Sequence, residues 1–183
     1  MNLDRLSPGI IQSLERFITT TVDAWMTAGT VTVASYAVEI LATDTLTGWA
    51  FDRGIGATFG ATHPSAQHSK DVFIQSAHGK SVISMVTGLD SHEAIRLKPG
   101  LMAQLDGGFP WGGAIVDREY GLIVATSGFE AEDEDILVSR TVLSYLRRTI
   151  DRAGEAMIDA ARRRGELGGE AGADRFTRRP TAD

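Results

Sequence analysis

The stretch "GGFPWGGAIVDREYGLIVATSGFEAEDEDIL", residues 107–137, decides how this chain folds. Ala114 to Asp117 and Gly121 to Thr126 are two β-rich runs joined by "REY", a spacing that predicts a hairpin. Ser127-Gly128 then reads as a turn. From Glu130 a long helix is expected to about Arg164, with acids in its first turn and "RRR" in its last, as the helix dipole favours. An antiparallel hairpin that runs directly into a helix argues for strands grouped together with helices packed on them. That is the α+β class, with a single antiparallel sheet.

Upstream, Ser7-Pro8 offers an N-cap followed by proline at the first helical position. Ile10, Ile11, Leu14, Phe17, Ile18, Val22 and Trp25 recur every three to four residues, which predicts an amphipathic helix to about Ala28, stopped by Gly29. Val31 to Leu41 is rich in Val, Thr and Tyr and reads as a strand. "TDTLTG" reads as a turn, and "WAFDRGIGATFGAT" as one or two short strands. "HPSAQHSK" reads as a loop, followed by a helix over about Ser69 to Thr87. Val72, Phe73, Ala77, Val82, Ile83 and Val86 are its expected core positions, and Gly88 is its stop. "LDSHEAIRL" is a short helix opened by Asp90 or Ser91, and "KPGLMAQLDGGFPWGG" is a loop with room for one helical turn. The sequence places one domain over residues 1–164. Residues 165–183, Gly-rich, charged and almost without apolar side chains, read as a disordered tail.

Composition excludes several classes of function. The net charge is -6 and no basic stripe precedes the tail, which disfavours nucleic acid as a partner. Cysteine is absent, so disulfides, thiolate metal sites and a cysteine nucleophile are excluded. No run approaches the roughly 18 apolar residues of a membrane span, and the first residues do not read as a signal peptide. No membrane partner and a cytoplasmic location are therefore expected.

The quoted stretch resembles the closing signature of the GlcG/HbpS (haem-degrading-domain) family. There a Gly-Gly-x-Pro turn leads into a hairpin, the hairpin ends in Ser-Gly, and an acid-rich turn opens the last helix. The matching residues are Gly107, Gly108, Pro110, Ser127, Gly128, Glu132, Glu134 and Asp135. "DVFIQSAHGKSVISMVTG" is similar to the family's Ala-x-x-Lys helix, here Ala77 and Lys80, and the likeness spans about residues 30–150. It implies a profilin-like sheet flanked by helices, assembly into dimers or larger oligomers, and a small-molecule ligand. Haem is the candidate cofactor.

On that basis the candidate ligand-binding residues are His78, Lys80, Phe109, Trp111, Ser127 and Gly128. The resemblance places the site between the "GGFPWGG" loop and the helix carrying His78 and Lys80. Lys80 suits a carboxylate or propionate, and His78 an axial-ligand or proton-acceptor role. A catalytic reading draws an acid–base pair from His78, Lys80, Arg53 and the Asp and Glu residues near the pocket. A third reading makes the apolar loop an oligomer interface. Each feature also has a plain structural explanation: glycine pairs serve tight turns, and four acids opening a helix stabilise its N-terminus. Their crowding on one turn argues against a metal site. No nucleophile elbow, phosphate-binding loop or dinucleotide fingerprint is present.

Overall fold

The computed structural model describes residues 8–42, 57–62, 70–102 and 111–164. The expected "TDTLTG" turn, residues 63–69 of the "HPSAQHSK" loop, Arg53, Phe109 and the tail all lie outside the described residues. The elements are α1 (Pro8–Thr27), β1 (Val33–Ala42), β2 (Ala57–Thr62), α2 (Lys70–Thr87), α3 (Ser91–Leu97), α4 (Pro99–Met102), β3 (Ala114–Asp117), β4 (Leu122–Phe129) and α5 (Glu132–Arg163). The fold is α+β, with helices packed on one antiparallel sheet.

The predicted hairpin forms, with Ala114 opposite Ala125 and Asp117 opposite Leu122. Its turn is held by Asp117 Oδ1, which accepts from the Glu119 and Tyr120 N–H groups at 3.0 and 3.2 Å. β1 then pairs with β4, and the strand order is β2-β1-β4-β3. β4 runs further than the sequence suggests. Ser127-Gly128, read as a turn, belongs to the strand, because Ser127 pairs with Ala37 and Phe129 with Val33.

Between those two pairs the register shifts, since β1 advances by more residues than β4 does. Gly128 sits opposite this irregularity at φ 119. A Cβ there would collide with the Ser35 carbonyl and stand 2.7 Å from Tyr36 Cα. The glycine is needed for β1 to cross at that point.

Side chains alternate across the sheet, and the two faces differ in bulk. One face presents Ala37, Ala125, Ala114 and Ile123, which form a buried cluster with Ala77 of α2. Alanines on both sides let α2 approach the sheet closely. The buried stripe of α2 is Ala77, Lys80, Ser81 and Ser84, with Ile83 beside it. Val72 and Val86, expected in the core, are exposed. A small, flat sheet surface selects small residues, so the helix turns its bulkier valines outward.

The opposite face carries Tyr36, Val38, Ile40 and Val124. There Tyr36 is hydrogen-bonded by Thr19 of α1. From α5, Ser139 bonds to Thr126 Oγ1 of β4 at 2.8 Å. Phe17, Ile18, Val22 and Trp25 of α1 line one narrow cleft with Val138 and Val142 of α5.

The edge strand β3 is covered rather than open. Ser91 Oγ accepts from Ala114 N at 3.0 Å and Asp90 Oδ1 from Val116 N at 2.8 Å, so the start of α3 occupies donors that another strand would otherwise seek. The chain divides into two compact units, Met1–Ser144 and Tyr145–Asp183, with the boundary inside α5. In the second unit α5 continues to Arg163, with Arg162 and Arg163 in its last turn and an Arg162–Asp159 ion pair at 3.5 Å.

Candidate functional site

Lys80 has the 1% exposure of a core residue, yet it carries an ammonium. α2 aims it inward because it lies one turn after Ala77 on the stripe that meets the sheet. Its Nζ donates to the Thr126 carbonyl at 2.9 Å and to Asp135 Oδ2 at 2.5 Å. Asp135 comes from the first turn of α5, and its Oδ1 accepts from Phe129 N at 3.4 Å. The pair thus ties α2, β4 and α5 together.

Gly113, immediately before β3, makes room for this contact. At φ 125, a Cβ there would stand 3.0 Å from Lys80 Nζ and 2.6 Å from the Thr126 carbonyl oxygen. The Gly113 carbonyl accepts from Ser139 Oγ at 2.5 Å, which pins this backbone to α5.

Burial dominates the electrostatics of the pair. It pushes the Lys80 ammonium down despite the neighbouring Asp135 and Glu132 carboxylates. It also pushes the Asp135 carboxyl up to about 6, although Lys80 and the Phe129 N–H act in the opposite sense. Both groups are drawn toward their neutral forms by burial.

Above the pair opens a groove of about 370 Å³. Val72, Phe73, Trp111 and Phe129 form its apolar walls, Lys80 and Asp135 its base, and Glu130 and Glu132 its acidic edge. Ser127 Oγ donates to Ser76 Oγ at 2.8 Å on one side, joining β4 to α2. Trp111 is 60% exposed, an unusual position for the largest apolar side chain.

Of the residues singled out by sequence, Lys80, Trp111, Ser127 and Gly128 meet at this groove. His78 is elsewhere. Its side chain is 62% exposed, its Nδ1 lies 2.9 Å from Glu39 Oε1 on β1, and it does not line the groove. Lys80 is not an open anion receptor either, because its ammonium is already engaged by Asp135 and Thr126. Among the described residues no histidine lines the groove, and the cation there, Lys80, is paired with Asp135.

The sequence named Asp135 only among the signature acids, and its pairing with Lys80 was not legible there. Helix phase could have separated them. Asp135 shares a face with Val138, Ser139 and Val142, all buried, whereas Asp133 points outward. Among the described residues no group of three or more histidines and acids gathers as a metal site, and no helix is long and apolar enough to cross a membrane. Neither a family model, a curated protein nor a solved structure matches the chain.

Proposed function

We propose that this chain binds a small organic molecule in the groove between α2 and the β4–α5 junction. The observation that carries the reading is the convergence of an exposed tryptophan, two phenylalanines and a buried Lys–Asp pair on one concavity. An apolar lining with few, fixed polar groups is what small-molecule sites present. Membership of the GlcG/HbpS family belongs to the same proposal. Its support is that Lys80 and Ser127-Gly128, far apart in sequence and both part of the resemblance, lie at one groove. Self-association is part of it too, with exposed Val72 and Trp111 at the groove as the apolar surface.

A second reading, acid–base catalysis on the bound molecule, is favoured by the Lys80–Asp135 pair. Perturbed, mutually bonded titratable groups at a cavity are the usual equipment of proton transfer. In this reading Asp135 replaces His78 as the partner of Lys80.

Native mass spectrometry of the protein as purified, followed by titration with haem and with a library of small aromatic compounds, tests the proposal. The expected result is a retained or added mass in the small-molecule range that is lost in Trp111→Ala. Stoichiometric haem uptake with a Soret band abolished by His78→Ala would contradict it and restore the haem reading. Absence of any adduct across the library would count against a binding role altogether.

A further inference from the structure

The charge around the groove narrows the ligand class, granted that the groove is a binding site. Among the described residues its lining contains one cation, Lys80, and three acids, Glu130, Glu132 and Asp135. Lys80 and Asp135 are bonded to each other, which leaves two carboxylates, Glu130 and Glu132, to set the sign of the field. These two sit on the segment that closes β4 and opens α5. Trp111 and Phe73 supply aromatic surface to the same groove. A carboxylate or phosphate entering here would meet two like charges and no available cation among the described lining residues. An ammonium would meet two opposite charges and aromatic faces whose quadrupoles attract cations.

We infer that the groove selects organic cations: amines with an aromatic or aliphatic body, the body against Trp111 and Phe73 and the ammonium toward Glu130 and Glu132. This inverts the expectation drawn from Lys80 alone, which pointed to an anionic group.

The test uses three probes of matched shape, phenethylamine, phenethyl alcohol and hydrocinnamate, titrated into the full chain by isothermal calorimetry at low salt. The amine should bind at least about tenfold more tightly than the carboxylate, with the alcohol between them. Added salt should narrow the range, because the carboxylates are at a solvent-facing edge. The isosteric double variant E130Q/E132Q should bring the amine down to the level of the alcohol and leave the alcohol unchanged. Equal affinities, or preference for the carboxylate, would overturn the inference while leaving the binding proposal standing. No heat from any of the three at millimolar concentration would overturn both.

Discussion

Burial moves both partners of the Lys80–Asp135 pair toward neutrality, the ammonium downward and the carboxyl from 3.8 to about 6, although each faces the other's charge. Desolvation therefore outweighs attraction, as continuum arguments expect for ion pairs removed from water. Removing one partner leaves the other uncompensated, so Lys80→Ala should cost about 3–5 kcal/mol in urea unfolding. Replacing both by apolar residues, Lys80→Met with Asp135→Leu, should recover at least half of that loss. A double variant as unstable as the single one would show that attraction dominates after all. The pH dependence follows with a definite sign. The folded pKa of Asp135 lies above its unfolded value, so the native state holds this proton more tightly. Its contribution is fully present at acid pH and is lost as pH rises from about 4 to about 6. The stability advantage over Asp135→Asn should shrink across that window. At His78 the expectation is reversed from a ligand role. Its loss strands the buried Glu39 Oε1, beside an Oε2 that already lacks a partner among the described residues. His78→Ala should thus cost about 1–2 kcal/mol of stability without altering binding at the groove. A variant that melts normally but loses ligand would sink this assignment.

At the scale of elements, the start of α3 substitutes for a fifth strand. Asp90 and Ser91 take up the N–H groups of β3, so Asp90→Ala and Ser91→Ala should each cost about 1 kcal/mol. Each should also speed amide exchange, at Val116 and Ala114 respectively, and unchanged exchange would show that water serves those donors equally well. α1, the hairpin and α5 were legible in the sequence because each announces itself locally, through apolar periodicity, β-rich runs around a short turn, or acids at one end and arginines at the other. β4 was not fully legible. Its last three residues include Ser127 and Gly128, which favour turns by themselves and become strand only because β1 pairs with them across a register shift. α2 was legible as a helix but not in its orientation. Lys80, Ser81 and Ser84 point inward because an alanine-lined sheet and the Asp135 carboxylate await them, neither of which is local information.

For the molecule as a whole, the groove draws on segments far apart in the chain: residues 72–80, Trp111 and residues 127–135. The sequence supplied Lys80, Trp111 and Ser127-Gly128 as candidates, yet the acidic edge and the pairing of Lys80 emerge only when those segments meet. A ligand bridging them stabilises the native state alone, so a saturating one at a hundredfold its Kd should add about 2.7 kcal/mol to unfolding. Whether this groove is a ligand site can be read from amide chemical-shift mapping on the isotope-labelled chain during titration with phenethylamine. Saturable shifts are expected at Ser76, Lys80, the Trp111 indole N–H and Ser127 to Glu132, with His78 and Glu39 still. Shifts gathered around His78 and Glu39, or none at all, would contradict that expectation.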